Sequence, residues 1–198
     1  VIPRVDEAAA RAEGARHAEG AYVLAGELLA ETLPGFAAPT PLALMAHGVA
    51  GRAVIYSTTN GTVALHDATA AAQVYAASLL NGAATIDHVL AMHPDRTLII
   101  VCSGSMGNFN LEDFYGAGYL VDLLAQRLGE GADFSDAARA ARALFRSGAP
   151  AATLAECRVG RMMAARGLAH EVEYAARLSA LDVVARLDGE DVIAVSAA

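Results

Sequence analysis

The chain contains no lysine, because arginine supplies all 14 of its basic residues. This absence excludes Schiff-base chemistry at lysine and the nucleotide-binding P-loop, whose lysine reaches the phosphates. The formal net charge of −8 argues against a surface that binds nucleic acid or an anionic membrane. A small anion would therefore have to be held by arginine, by backbone N–H groups or by a metal ion.

Cysteine is scarce, and long hydrophobic runs are absent. Cys102 and Cys157 match no metal-binding or Cys-x-x-Cys spacing, which favours a reduced, cytoplasmic setting. No apolar stretch approaches the roughly 18 to 20 residues that span a bilayer, and residues 1–16 lack the apolar core of a signal peptide. We therefore expect neither a membrane segment nor a membrane partner.

Strands and helices alternate along the chain, which predicts an α/β fold, a three-layer α/β/α arrangement with a mixed or largely parallel sheet. No linker rich in proline, serine or charge interrupts the 198 residues, so a single domain over 1–198 is predicted. The predicted strands are residues 21–25, 52–57, 74–77, 97–101, 183–187 and 192–195. The predicted helices are residues 6–18, 66–72, 84–92, 111–128, 136–145, 153–166 and 170–178.

Two polar loops follow predicted strands and share one design. STTNGT (57–62) ends the strand at 52–57, and CSGSMGN (102–108) follows the strand at 97–101. Each supplies hydroxyls, an amide and backbone N–H groups at the carboxyl end of a strand, where ligands bind in open α/β sheets. The alternative is that both are ordinary turns, because Asn-Gly and Ser-Gly are turn dipeptides.

Two adjacent acids, Glu112 and Asp113, open the helix predicted after the second loop. They could hold Mg²⁺, which accepts one or two protein carboxylates. Alternatively, Asn110 caps the helix and Asp113 completes a pattern close to a capping box.

Cys102 lacks the arginine that a tyrosine-phosphatase nucleophile needs six residues later, where Asn108 stands. A small buried thiol or a pocket-lining residue is therefore expected there.

The segments YSTTNGTVAL (56–65) and VCSGSMGNFNLEDFYGAGYLVDLL (101–124) resemble the two signature segments of the 2-phosphosulfolactate phosphatases. LAGE (24–27), PGF (34–36) and residues 158–187 resemble further parts of that family. The resemblance implies a Mg²⁺-dependent enzyme of sulfolactate and coenzyme M biosynthesis that acts on a small anionic substrate.

Some family features differ in this chain. The family's N-terminal strand, with its Asp-Val-x-Arg-Ala-Thr motif, has no counterpart, and Glu27-Leu28 stands where the family has Glu-Arg. Ala38-Pro39-Thr40-Pro41 replaces an Asn-Ser-Pro loop. Because a substrate with phosphate, sulfonate and carboxylate groups needs several cationic or N–H partners, these losses favour an alternative, a catalytically degenerate anion-binding protein.

The resemblance therefore implies hydrolysis of 2-phosphosulfolactate, or of a similar small acidic phosphate monoester, to sulfolactate and phosphate. The implied metal ligands are Glu112, Asp113 and Glu27, and the implied catalytic residues are Glu112, Asp113 and Asn60. The implied substrate-binding residues are Thr58, Thr59, Gly61, Thr62, Cys102, Ser103, Gly104 and Ser105. The high apolar content, 55%, makes a homodimer an expectation.

Overall fold

The structure is a computed structural model that describes residues 1–196. The described chain divides into two compact units. The first unit contains Val1–Ala76, Ser105–Gly107 and Arg186–Ile193, and the second contains Ala77–Gly104, Asn108–Ala185 and the residues from Ala194 onward. The α/β class is confirmed, with helices and a mixed sheet, whereas the single domain over 1–198 stays a prediction.

The secondary structure consists of short strands and helices. The strands are β1 (Ile2–Arg4), β2 (Tyr22–Leu28), β3 (Glu31–Thr32), β4 (Ala53–Ser57), β5 (Tyr75–Ala76), β6 (Val184–Asp188) and β7 (Asp191–Val195). The helices are α1 (Glu7–Gly14), α2 (Pro41–His47), α3 (Gly61–Asp67), α4 (Gly82–Met92), α5 (Leu111–Leu128), α6 (Asp136–Arg146), α7 (Pro150–Glu156), α8 (Arg158–Ala165) and α9 (Ala169–Ala175). Single 3₁₀ turns lie at Ala68–Ala70 and Gly129–Gly131.

The sheet of the first unit has the strand order β1-β4-β2-β3. β4 runs parallel to β1 and to β2, and β3 returns antiparallel to β2 in a hairpin. The register pairs Gly26 with Ser57, so the carboxyl ends of β2 and β4 lie side by side. A Cβ on Gly26 would collide with the Ser57 carbonyl oxygen, so this close approach requires glycine.

Helix α1 packs its alanine face against this sheet. Asp6 caps the helix as predicted, because its carboxylate accepts a hydrogen bond of 2.7 Å from the Ala9 N–H. The apolar core of the unit is formed by Ala10, Leu33, Phe36 and Ile55.

A second sheet, with the order β5-β6-β7, confirms the three predicted strands near 75, 185 and 193.

The second unit is mainly helical and is organised around α5. Its core contains two tyrosines of α5, Tyr115 and Tyr119, whose rings lie 5.2 and 5.1 Å from that of Phe145 in α6. The α5 and α6 backbones approach closely at Gly118, where a Cβ would overlap the Ala141 carbonyl. Within residues 1–196, no helix combines the length and the apolar character that crossing a bilayer requires.

The predicted strand at 97–101 is wrong. Residues 97–104 form no helix or strand, and the side chains of Ile99 and Val101 are 82% and 65% exposed. Ile100 alone of this run packs against the core of the second unit. β-propensity expresses how well a residue fits a pleated, half-buried surface, and no described strand pairs with this segment to provide one.

Two helix predictions also need correction, and one helix was missed. The helix predicted at 66–72 begins earlier, since α3 starts at Gly61, inside the 57–62 loop. The helix predicted at 153–166 is two helices, because Cys157 adopts an extended conformation between α7 and α8. Helix α2 was not predicted, although Thr40-Pro41 is a common way to start a helix.

Candidate functional site

Glu27 organises the loop that follows β4 in the first unit. It lies near the end of β2, and its Oε1 accepts a hydrogen bond of 2.7 Å from the Thr59 N–H. Its Oε2 accepts from the Thr59 hydroxyl at 3.1 Å and from the Ala30 N–H at 2.5 Å. The parallel pairing of β2 and β4 brings these residues together, so the predicted residues Glu27 and Thr59 are in contact. Both oxygens of Glu27 are engaged with the protein.

The turn between β2 and β3 is strained, and Glu27 and Thr59 hold it. Leu29 and Ala30 have φ values of +53° and +64°, a conformation that favours glycine or asparagine in two-residue hairpins. The Leu29 N–H donates to the Thr59 hydroxyl oxygen at 2.9 Å, and Glu27 holds the Ala30 N–H. Strained backbone of this kind persists where surrounding contacts fix it, often at functional sites.

Three other predicted residues of the 57–62 loop, Thr58, Asn60 and Thr62, have different partners. The Asn60 Oδ1 accepts a hydrogen bond of 2.9 Å from the N–H of Met106, within the second predicted loop. Thr62 is buried, and its hydroxyl donates to the Thr58 carbonyl at 3.0 Å. The Thr58 hydroxyl oxygen accepts from the Thr62 N–H at 3.4 Å. Thr62 therefore shapes the loop, whereas Thr58 keeps a hydroxyl proton for which the described residues show no acceptor.

Tyr56, which the sequence did not single out, lies on the same strand end. Its hydroxyl donates to the Pro39 carbonyl at 2.7 Å, within the segment that differs from the family's Asn-Ser-Pro loop. Burial, and next the negative charge of Glu27, raise the pKa of Tyr56 to about 12. The phenol therefore stays protonated, and it ties residues 38–41 to β4.

In the second unit, Asp113 fixes the loop that precedes α5. Its Oδ2 accepts hydrogen bonds from the Gly104 N–H at 2.7 Å and from the Ser103 hydroxyl at 3.2 Å. Gly104 has a φ of +68°, and a Cβ there would meet the Asn108 carbonyl oxygen at 2.8 Å, so the loop requires glycine. The structure shows no partner for the Asp113 Oδ1 among residues 1–196. The predicted residues Ser103, Gly104 and Asp113 are thus in contact.

The capping alternative for Asn110 and Asp113 is wrong. Asn110 occupies the N-cap position of α5, but its side chain forms no capping hydrogen bond. Its Oδ1 instead accepts from the guanidinium of Arg158, the first residue of α8, at 3.4 Å. Asp113 bonds the Ser103–Gly104 backbone and side chain rather than the start of its own helix. The first turn of α5 therefore combines two acids with a nearby arginine.

Glu112 and the two thiols complete this region. Burial, followed by the negative charge and hydrogen bonding of Glu112, raises the pKa of the Cys157 thiol, so Glu112 and this buried thiol are neighbours. Cys102 is exposed, and the prediction of a buried thiol is wrong. Desolvation by its immediate neighbours, and then the charge of Asp113, raise the pKa of Cys102. A thiol with a raised pKa is a poor nucleophile near neutral pH.

The carboxylates at the start of α5 are donors of the kind that Mg²⁺ accepts. Among the described residues, no group of three or more His, Cys, Asp or Glu side chains is arranged to hold a metal. Mg²⁺ needs only one or two carboxylates, because water and substrate phosphate fill its other positions. Asp113 offers the required donor, with Oδ2 anchored to the loop and Oδ1 available. The predicted third ligand, Glu27, is already engaged by Thr59 and Ala30, and its metal role stays a prediction.

Sequence reasoning missed Arg158, Tyr56 and the strained Leu29–Ala30 turn. Arg158 lies 48 residues after Asn110 in the chain, so only the packing of α8 near the start of α5 brings the two together. Leu29-Ala30 contains none of the residues that mark a two-residue hairpin turn, so its sequence carries no local signal.

Comparisons with known proteins agree with the resemblance in the two signature segments. A family model described as 2-phosphosulpholactate phosphatase matches residues 1–190. A protein of Carboxydothermus hydrogenoformans, named a probable 2-phosphosulfolactate phosphatase, is 37% identical over 82% of this chain and 66% of its own length. Similarly named proteins of Deinococcus radiodurans and Symbiobacterium thermophilum are 38% and 32% identical, over 86% and 82% of this chain and 71% and 70% of their own lengths. The matched region spans about two thirds of these relatives.

Proposed function

Because this chain belongs to the 2-phosphosulpholactate phosphatase family, we propose that it is a Mg²⁺-dependent phosphatase that hydrolyses 2-phosphosulfolactate. In this reaction a water oxygen bonds to phosphorus while the bond from phosphorus to the ester oxygen breaks. The released alkoxide takes a proton and leaves as sulfolactate, and the other product is inorganic phosphate. The relatives named above carry the name of this activity as a probable one, which supports the substrate class.

In the second unit we assign Asp113 and Glu112 to the metal and Arg158 to the anionic substrate. When bound, Mg²⁺ neutralises charge on the phosphoryl group and helps to place the attacking water. Asp113 is held by Gly104 and Ser103, so its Oδ1 is oriented before any ligand arrives. Arg158 provides a guanidinium, which suits phosphate, sulfonate or carboxylate oxygens.

In the first unit we assign Glu27 to the ordering of the 58–62 loop rather than to chemistry. Its hydrogen bonds to Thr59 fix the backbone on which Thr58 and Asn60 are carried. The Thr58 hydroxyl and the Asn60 amide are then the groups of this loop that can donate to phosphate oxygens. Thr59 and Thr62 act through the loop conformation, because their hydroxyls are engaged.

The observation that carries this proposal is that the two carboxylate oxygens of Asp113 differ in their contacts. Asp113 anchors the glycine loop through Oδ2, whereas residues 1–196 provide no partner for its Oδ1. Mg²⁺ is commonly held by one or two carboxylates together with water and substrate phosphate, so an available Asp113 oxygen supports this assignment.

The test is phosphate release from 2-phosphosulfolactate with and without MgCl₂. We expect turnover that depends on Mg²⁺, and a kcat at least about 100-fold lower in Asp113→Asn. Ser103→Ala removes a hydrogen bond to Oδ2 but not the metal donor, so it should keep most of the activity. Asp87→Asn, a change of the same type at an exposed carboxylate, is the matched control. Metal-independent turnover, or full activity of Asp113→Asn, contradicts the proposal.

A second outcome would favour the degenerate alternative. If phosphate or sulfolactate raises the thermal midpoint of the protein but no substrate is turned over, the chain binds anions without catalysis. The engagement of both Glu27 oxygens and the Leu28 side chain, 58% exposed in place of the family's arginine, are the features that favour this alternative.

We further propose a homodimer in a cytoplasmic setting. Ile99 and Val101 are largely exposed, and an apolar surface of this kind is typical of an interface between protein chains. Both cysteines are free thiols, in keeping with the reduced compartment that the cysteine spacing predicts. Light scattering after size-exclusion chromatography tests the dimer, and a monomer at micromolar concentration contradicts it.

A further inference from the structure

A cavity of about 560 Å³ opens in the first unit, at the amino ends of β2 and β4. Its size lies within the roughly 300 to 1,000 Å³ of typical small-molecule sites. We propose that this cavity binds a small organic anion, whose acidic group pairs with Arg52 and whose apolar body packs on Tyr22 and Phe36. None of the residues assigned above to phosphate hydrolysis lines it.

Arg52 carries the proposal, because its charge is not paired. One of its nitrogens, Nη2, donates to the Tyr22 carbonyl at 2.7 Å, whereas its Nε is buried and lacks a hydrogen-bond partner. Arg4 and Arg11 of the same unit each pair with a glutamate, but in the described part of the chain no carboxylate pairs with Arg52. Arg52 is partly buried, and a partly buried charge without a counter-ion costs free energy that an anion in the cavity would offset.

Two histidines also line the cavity wall. His17 donates through Nε2 to the Glu13 carboxylate at 3.2 Å, so Nδ1 of the neutral ring is an acceptor, and His17 is a reporter of binding rather than a donor to the anion. His47, the last residue of α2, is exposed and also lines the cavity. The one acid of the lining, Glu19, is exposed, and solvent therefore screens its charge. The lining therefore contains one guanidinium, from Arg52, and one carboxylate that solvent screens, from Glu19.

The apolar part of the wall decides the ligand class. Tyr22 and Phe36 line the cavity together with Val23 and Leu24. Tyr22 and Leu24 are partly exposed, whereas Val23 and Phe36 are buried, so the accessible apolar surface suits a small flat or aliphatic body rather than a bare inorganic ion. Tyr22 and Glu27 are five residues apart on β2, which is roughly 16 Å along a strand. An anion bound near Tyr22 therefore does not occupy the loops of the proposed phosphatase site.

The test uses nuclear magnetic resonance of the histidine rings, with benzoate as the probe. The six histidines are assigned by single His→Gln variants. We expect benzoate to shift the ring signals of His17 and His47 in a saturable manner with one common Kd. Neutral benzyl alcohol, which has the same body without the charge, should bind at least about tenfold more weakly. Inorganic phosphate, which has charge without the body, should also bind more weakly.

Variants then separate this site from a general charge effect. Arg52→Gln should weaken benzoate binding by about tenfold or more, whereas Arg186→Gln, an equal change of charge in β6 of the same unit, should leave the Kd unchanged. If Arg52→Gln does not fold, His47→Gln at the exposed end of α2 decides by the same measurement. Unsaturable shifts up to 20 mM benzoate, or equal affinity in the variants and the unaltered protein, overturn the proposal. Because the readout is binding, its failure leaves the proposed phosphatase activity untouched.

Discussion

The carboxylate of Glu27 accepts hydrogen bonds from both the backbone N–H and the hydroxyl of a single residue, Thr59, at 2.7 and 3.1 Å. Two parallel strands end side by side here, so one side chain of β2 determines the conformation of the loop after β4. The same carboxylate holds the strained β2–β3 turn through Ala30. Glu27 is therefore expected to contribute to stability as well as to activity.

Glu27→Gln tests this expectation. The amide presents an NH₂ group where the carboxylate accepts, so it faces the donors of Thr59 and Ala30 with another donor. We expect the free energy of unfolding, measured in urea, to fall by about 1 to 3 kcal/mol, with a lower kcat. Glu173→Gln, at an exposed position of α9, should change it by less than about 0.5 kcal/mol. Equal stability of the two variants would show that the Glu27 hydrogen bonds contribute little.

A substitution in the Leu29–Ala30 turn should stabilise the protein, because both residues have positive φ. Replacing these residues by Asn-Gly removes the cost of positive φ at two positions, and we expect a gain of about 1 to 2 kcal/mol in the free energy of unfolding. The control is Ala140→Gly, inside the exposed face of α6, where glycine should cost about 1 kcal/mol. A loss of stability in the Asn-Gly variant would mean that the side chains of Leu29 and Ala30 contribute more than their strain costs.

Two glycines of α5 should respond oppositely to alanine. At Gly118 a Cβ would overlap the Ala141 carbonyl, so Gly118→Ala must push α5 and α6 apart at a cost of about 1 to 3 kcal/mol. At Gly116 nothing lies within 4 Å of the new methyl group, and Gly116→Ala should gain about 1 kcal/mol from helix propensity. Thermal unfolding of both variants measures the contrast, and a similar shift for both would contradict the close α5–α6 contact.

We expect the folded protein to lose stability in acid because of Asp122. It is buried on α5, where Arg142 and Arg146 of α6 donate to Oδ1 at 2.8 and 2.7 Å and Gln126 donates to Oδ2. Burial alone would raise its pKa, but the hydrogen bonds from Arg142, Gln126 and Arg146 lower the pKa of Asp122 below its usual value.

The pKa of Asp122 is lower in the folded state than in the unfolded state, so the ionised carboxylate stabilises the fold. This stabilisation is complete above the unfolded-state pKa of about 3.9 and is lost as the pH falls through the folded-state pKa. Urea unfolding from pH 7 to pH 2 should show this loss in the unaltered protein and a smaller one in Asp122→Asn. At pH 7, Asp122→Ala should cost about 3 kcal/mol. Asp87→Asn, which breaks an exposed pair with Arg127, should cost less than about 1 kcal/mol. Parallel pH curves for the unaltered protein and Asp122→Asn would contradict this role.

Local patterns predicted most of the helices and strands. The helix at Leu111–Leu128 was predicted with its bounds, because its apolar residues repeat with helical spacing over five turns. The family resemblance, which depends on 56–65 and 101–124, is confirmed by the family match over residues 1–190. The contact between Glu27 and Thr59 was not predicted as such, although both residues were singled out.

The errors come from features that a local pattern does not contain. Residues 97–101 have the composition of a strand, but strand formation depends on a neighbouring strand far away in the sequence. Asp113 has the spacing of a capping residue, yet its hydrogen bonds go to Ser103 and Gly104, because the loop folds back onto the helix start. Arg158 became a candidate only through the packing of α8.

The first unit is assembled from segments that are distant along the chain. The Leu187 N–H donates to the Val74 carbonyl at 2.9 Å, and the Val192 N–H donates to the Val1 carbonyl at 2.8 Å. Residues 186–193 are synthesised after β4 and the strands beside it, so these strands leave the ribosome before the last segment of their unit. Before residues 186–193 emerge, part of that unit stays exposed to solvent. Chaperones can bind exposed apolar surface of this kind.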